Sequence, residues 1–278
     1  MPASTPTPPA SRWPWPPALQ ASVGLHAVAG GAALWVPGAE PWALASVLLN
    51  HAGLTAAGLW PRSRWLGPNV TRLPAAAGAA VTLSFDDGPD PAVTPALLDL
   101  LDAHGVRASF FCIARQAERH AALAREIVAR GHDVQNHSDR HRHDFSLRGP
   151  RALAAEIGSA QQRLADVTGT QPHCFRAPAG LRNPLLDPVL HRLGLHLVSW
   201  TRRGYDTRDA EPARVQARLA RGLAAGDILL LHDGHARRTA QGRPVLLEVL
   251  PPLLAQLRAA GLRTATLREA LPPRGAHA

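Results

Sequence analysis

The chain has 278 residues, 46% of them hydrophobic and 18% charged, which suits one large domain or two smaller ones and excludes a disordered polyelectrolyte. Thirty basic residues against 21 acidic ones give a formal charge of +9, and every basic residue is arginine. The arginines are scattered, and one tyrosine and five phenylalanines cannot make a stacking surface, so no nucleic-acid partner is expected.

In chain order, residues 1–18 are rich in Pro, Ser and Thr and read as a disordered leader. Residues 19–36 and 42–60 carry no formal charge, and each spans about 27 Å as a helix. Trp35, Trp42, Trp60 and Trp65 lie at or near their ends, where interfacial anchors sit. Residues 19–60 therefore read as a membrane helical hairpin that would tie the chain to the inner or cytoplasmic membrane. Two helices packed on a soluble domain are the alternative, because His26, Asn50 and His51 interrupt the stretches. A cleaved signal peptide fits less well, with only Arg12 before the apolar run. Arg12 ahead of the hairpin and Arg62, Arg64 and Arg72 behind it place both ends on the cytoplasmic side. Residues 61–78 read as a linker.

From residue 79 to 278 the pattern changes. Strand-like segments at 80–85, 106–113, 132–136, 172–178, 195–200, 226–233 and 262–267 alternate with helical ones at 93–105, 117–131, 150–169, 183–194, 212–223 and 244–261. Such alternation predicts a parallel β/α architecture, and seven strands suit a closed or nearly closed barrel. Chemistry in such folds gathers at the C-terminal ends of the strands. Cys112 and Cys174 fall within strands and read as buried free thiols.

The strand ends carry a series of polar residues: Asp86 and Asp87, then His137 and His141, Arg176, Asp206, and His232 with Asp233. His137 and His141 are four apart, so on a helical turn they share one face and can hold one metal. Asp87 adds an oxygen ligand, and two imidazoles with a carboxylate leave positions open for water, as a hydrolytic zinc site requires. Asp86 is then free to act as the base toward that water. His132 and His143 compete for the ligand role.

The region from about residue 79 to the C-terminus resembles the polysaccharide deacetylases of the NodB-homology type, carbohydrate esterase family 4. Ser84-Phe85-Asp86-Asp87-Gly88-Pro89 is similar to that family's TFDDGP motif, and His137-Ser138-Asp139-Arg140-His141 to its H(S/T)xxH motif. Arg176-Ala177-Pro178-Ala179-Gly180 resembles its RxPYG motif, and Leu230-Leu231-His232 its final LxH. The resemblance implies a deformed (β/α) barrel, a divalent metal, most often Zn2+, and removal of N-acetyl groups from amino sugars, usually N-acetylglucosamine units. It implies Asp87, His137 and His141 as metal ligands and Asp86 as catalytic base steadied by Arg176. His232 would be the general acid tuned by Asp206, and a backbone N–H near Ala179 would face the oxyanion.

The chain departs from the pattern at two places. Ala179 replaces the usual tyrosine, which removes an aromatic wall, and Thr207 stands where tryptophan usually follows the aspartate. Asp209 rivals Asp206, and Trp200 fits a pocket wall as well as a core position. The expected substrate is an N-acetylated sugar, and no protein partner is implied. The competing readings are a deacylase of a lipid-linked aminosugar or other small N-acyl compound, and an inactive sugar-binding membrane module.

Overall fold

The computed structural model describes residues 12–274. Most of the Pro-rich leader, 1–11, lies outside the described residues, as do 275–278. The first described elements are two helices, α1 (Pro17–Trp35) and α2 (Glu40–Leu59), joined by a four-residue turn. They pack antiparallel through polar contacts at mid-helix. Asn50 donates to the Ser22 hydroxyl at 2.8 Å, and the His26 and His51 rings meet Nε2 to Nε2 at 3.2 Å. The residues that interrupt the apolar stretches therefore face each other across the hairpin. Its outer surface exposes Val28, Leu34, Leu48 and Leu49 along with Trp35, Trp42 and Trp60. Among the described residues one helix, α2, is long and apolar enough to cross a membrane.

The stretch after α2 is fastened to the following domain. Val70 bridges to Val198, Leu73 is buried in the core, and Arg72 pairs with Asp227 at 2.7 Å. The domain then runs β1 (Ala80–Asp86), α3 (Thr94–Ala103), β2 (Ser109–Cys112), α4 (Ala114–Arg119), α5 (Ala121–Ala129), β3 (Asp133–Asn136), α6 (Pro150–Thr168) and β4 (Cys174–Phe175). It continues with α7 (Leu186–Arg192), β5 (His196–Leu197), β6 (Arg202–Arg203), α8 (Pro212–Ala220), β7 (Ile228–His232), α9 (Val245–Ala259), β8 (Arg263–Thr264) and α10 (Leu267–Ala270).

All strand pairings are parallel, in the order β5-β4-β3-β2-β1-β7-β6, with β8 added to the start of β1. The two edges, β5 and β6, are successive parts of one extended segment, 196–203. That segment pairs with β4 at one end and β7 at the other, so the sheet curls into a deformed barrel.

Strand periodicity sets what the barrel encloses. In β1, Val81, Leu83 and Phe85 point outward into the larger core under α3 and α9. Ala80 lines a second, interior cluster with Phe111, Cys174, Val198, Ile228 and Leu230. By the same alternation Thr82, Ser84 and Asp86 face inward. Each buried apolar side chain contributes on the order of 1.5–3 kcal/mol, so the outer cluster holds the helices to the sheet. Cys112 and Cys174 are both buried and free.

The elements differ from expectation in a few places. The segment read as one helix at 117–131 is two, broken at His120, whose backbone (φ −116, ψ 48) is not helical. The first of them starts early because its N–H groups find acceptors outside the helix: Ala114 N bonds Ser138 O and Arg115 N bonds Asp139 O. Two short elements, β6 and α10, have too few residues for periodicity to register.

Candidate active site and metal centre

Asp86 ends β1 and His232 ends β7, and the two are register partners on neighbouring parallel strands. Both therefore project into the same barrel mouth, one strand spacing apart. Asp87 would point to the opposite face if the strand continued. Its φ of 73 turns the chain instead, so successive aspartates serve one site from different directions. Gly88 follows because a Cβ there would overlap the buried Asp233 carboxyl, and one at Gly234 would overlap the Asp87 backbone. The DDG and HDG turns interlock.

His137 and His141 occupy a loop after β3, not the helical turn inferred from their spacing. Ser138 (φ 70) and His141 (φ 50) are both left-handed, which folds the five residues back on themselves. Side-chain bonds hold this shape. Asn136 Oδ1 accepts from Ser138 N at 2.9 Å, and Ser138 Oγ accepts from His141 N at 2.9 Å. The ligand-capable atoms of Asp87, His137 and His141 lie within 4.8 Å of one another, with each imidazole Nε2 3.3 Å from Asp87 Oδ1. That oxygen is buried and has no hydrogen-bond partner, the signature of an acceptor left for a cation. The Nδ1–H of His137 donates to Arg176 O at 2.9 Å, which directs its Nε2 lone pair at the cluster. His143 is exposed and outside the cluster, and buried His132 accepts from Ala108 N at 3.2 Å on the far side of β3, so neither joins it.

Electrostatics fit a cation site. Burial pushes the Asp87 carboxyl up, but the close imidazoles of His137 and His235 outweigh it and hold the group well below the ordinary carboxylate range. Burial and the neighbouring His137 push His141 down to about 4, so its imidazole is neutral at pH 7. For His137 the pull of burial is exceeded by Asp86 and Asp87, which raise it.

Arg176 is 1% exposed, with each of its three side-chain nitrogens hydrogen-bonded. Its Nη1 donates to Asp86 Oδ1 at 2.6 Å and to Ser84 Oγ at 3.0 Å, and Nη2 and Nε reach Ser199 O and Val198 O. Its guanidinium lies 3.9 Å over the Phe111 ring. Asp86 Oδ2 is left toward the metal cluster, 3.9 Å from His137 Nε2.

Across the mouth, Asp206 is fully buried and receives two bonds from one residue: His232 N at 2.7 Å and His232 Nδ1 at 2.9 Å. Burial lowers His232, but Asp206 more than offsets it and the imidazole is raised. Asp209, its sequence rival, pairs with Arg214 and Arg218 instead. Trp200 is 8% exposed in the interior cluster, and Gly180 packs so closely on its ring that a Cβ would collide. Ala179 adopts φ 55 in the loop after β4.

Ser84 opens the first motif but gains a role only here, as a partner of Arg176, and Asn136 and His235 carry no motif signal. His235 Nδ1 sits 3.4 Å from Asp87 Oδ2, the oxygen turned away from the cluster. The period-two alternation of β1 could have indicated Ser84; nothing in the sequence marks Asn136 or His235.

Residues 75–198 match the family model for polysaccharide deacetylase. Over 210 residues the chain is 30% identical to a peptidoglycan-N-acetylglucosamine deacetylase of Bacillus cereus, covering 74% of this chain and 92% of that one. The chain belongs to the polysaccharide deacetylase family. This deacetylase is also 34% identical over 160 residues to a chitooligosaccharide deacetylase of Azorhizobium caulinodans, covering 56% of this chain and 74% of that protein. Among solved structures, a family 4 carbohydrate esterase from Streptomyces lividans in complex with acetate superposes with a TM-score of 0.63 at 30% identity. The match covers 70% of this chain and 98% of that one.

Proposed function

We propose that the protein hydrolyses the N-acetyl group of an amino sugar, in N-acetylglucosamine-containing oligo- or polysaccharide, releasing acetate and a free amine. The observation that carries this reading is the orphaned Asp87 Oδ1 between two imidazole Nε2 atoms, with Asp86 and His232 on adjacent strands beside it.

Asp87, His137 and His141 would hold the metal, and this donor set suits Zn2+. When bound, such a cation polarises the acetyl carbonyl and lowers the pKa of water. Asp86 accepts the proton of the attacking water, its Oδ1 fixed by Arg176 and its Oδ2 free toward the cluster. His232 donates a proton from Nε2 to the leaving nitrogen, because its Nδ1 is committed to Asp206. Asp206 orients that ring and favours its charged form. A backbone N–H of the loop at Ala179 faces the developing oxyanion. The complete set of acid, base and ligands speaks against an inactive sugar-binding module.

The domain organisation follows the same reading: a leader to residue 18, a membrane hairpin at 19–60, a connecting stretch at 61–78 and the deacetylase domain from 79. The outward-facing apolar surface of α1 and α2, whose one formal charge is Glu40 at the connecting turn, with tryptophans near the helix ends, supports anchoring in the inner or cytoplasmic membrane. A second substrate reading, a lipid-linked aminosugar, is favoured by one feature. An apolar cavity of about 640 Å³ lies between Trp13 and Trp15 of the leader, Leu54 of the hairpin and the domain residues Leu147 and Leu185.

The test is acetate release by zinc-loaded protein from chito-oligomers, peptidoglycan fragments and lipid-linked aminosugars, with D87A as the metal-free control and D86N as the metal-bound, inactive one. Turnover of soluble oligomers supports the main reading. Turnover of the lipid-linked sugar alone supports the second, and no release from any N-acyl sugar by metal-loaded protein overturns both.

A further inference from the structure

We infer that a cationic subsite beside the metal cluster takes an anionic group, a carboxylate or a phosphate, carried on or next to the N-acetylated sugar. The inference rests on the deacetylase reading and names the substrate class for it.

A hollow of about 410 Å³ opens on the outer side of His141, with Arg115, Arg119, Arg140, His143 and His235 among its walls. It shares His141 with the metal cluster, and His235 borders both through its 3.4 Å approach to Asp87. An acetyl carbonyl at the cluster therefore has this hollow as adjoining space for the sugar's neighbouring substituent or for the next sugar.

The charge there is unbalanced. No acidic residue is among its walls. The carboxylate behind it, Asp139, is shared by three guanidiniums: Arg163 Nε at 3.0 Å, Arg115 Nε at 3.2 Å and Arg140 Nε at 3.4 Å. Arg163 also meets Glu118 at 2.5 Å. Four arginines, counting Arg119, thus face two carboxylates. Among the described residues the Arg119 and His143 side chains have no hydrogen-bond or ion-pair partner. A concave cationic wall concentrates anions, and a guanidinium fork matches the paired oxygens of carboxylate and phosphate. Arg115 and Arg140 are about half exposed, so solvent screens each contact. Exposed pairs are each worth a factor of a few, and two together give a preference on the order of tenfold.

The experiment compares a neutral N-acetylglucosamine oligomer with two anionic counterparts of equal length, one containing N-acetylmuramic acid and one bearing a sugar phosphate. Turnover and calorimetric binding are measured with zinc-loaded full-length protein and its R115A/R119A double variant. The expected result is a kcat/KM ratio, anionic over neutral, on the order of ten, expressed in KM, falling with added salt and approaching one in the double variant. The two anionic arms separate a carboxylate site from a phosphate site. Equal binding of neutral and anionic oligomers, or a ratio that survives in the double variant, overturns the subsite. Tighter binding of the anionic oligomers with no acetate released from any of them would instead overturn the deacetylase reading and leave the subsite standing.

Discussion

Replacing Asp206 by Asn is the sharpest test of the proposed acid. Asp206 is fully buried and accepts both from the backbone N–H of His232 at 2.7 Å and from its ring Nδ1 at 2.9 Å. The amide keeps the shape but has one acceptor. If its oxygen takes the backbone N–H, its NH2 faces Nδ1, which must then present a lone pair, and His232 is held as the neutral Nε2–H tautomer. The variant loses one charge-assisted bond to the imidazolium, worth about 1.5–3 kcal/mol. At 1.36 kcal/mol per unit, that lowers the imidazole pKa by about 1–2 units. The sign follows from the role. A general acid works while protonated, so activity in the native enzyme is lost as pH rises through the raised pKa of His232. In D206N this alkaline limb moves to lower pH by about 1–2 units, and kcat/KM falls about 10–100-fold on the alkaline side. The assay is acetate release against pH at full metal occupancy, with metal content and circular dichroism checked at each pH. An alkaline limb that stays in place in D206N refutes the assignment of His232 and Asp206 as a coupled acid.

Removing a ligand should abolish metal binding and activity together: D87N and H137A are expected to retain little metal after dialysis, read by elemental analysis. Metal affinity should also rise with pH, because a proton on the raised His137 competes with the cation and is lost only as pH climbs through that pKa; a chelator competition that is flat from about pH 5 to 8 would contradict this. R176M leaves the buried Asp86 without its partner and should destabilise the fold by about 3–5 kcal/mol in urea melts while abolishing turnover. G88A places a methyl against the Asp233 carboxyl and should cost about 1–3 kcal/mol, with a measurable part recovered in G88A/D233A, so strict additivity of the two changes would count against the interlocked turns.

Much of the fold was legible because its signals are local. Alternating apolar residues in 80–85 mark a strand, and the structure has one at Ala80–Asp86. Glycine followed most helices, and proline-led helices such as α6 and α8 began where expected. The motifs name Asp87, His137 and His141 without needing any distance, and the structure brings the three together. What stayed hidden depended on contacts made across the sequence. The choice of Asp206 over Asp209 is decided by a backbone N–H 26 residues away. The early start of α4 reflects carbonyls of the metal loop that accept from its first N–H groups. The closure of the barrel by 196–203 rests on two short pairings with different partners, and neither leaves a periodic trace in eight residues.

The least legible feature is the backbone that presents the site residues. Asp87, Ser138, His141 and Ala179 all adopt positive φ without being glycine, at a cost on the order of 1 kcal/mol or more each. No propensity argument places four such residues together, and spacing alone suggested a helical turn for 137–141. The loop keeps its shape because Asn136, fully buried, spends all its polar atoms on it. Oδ1 takes Ser138 N, and Nδ2 is anchored to Ile157 O at 3.1 Å and Gln161 Oε1 at 3.0 Å, so α6 holds the loop through one amide. Asn136→Ala touches no ligand yet frees the Ser138 N–H and the turn that delivers His141. Outer contacts of this kind typically govern 10–100-fold in metal affinity, and a loss of that size is expected for N136A. Asn136→Asp keeps the acceptor for Ser138 but loses both anchors to α6, so it should fall between the two. Native affinity in N136A would mean that His137 and His141 are positioned by packing alone and that the left-handed loop needs no hydrogen-bonded support.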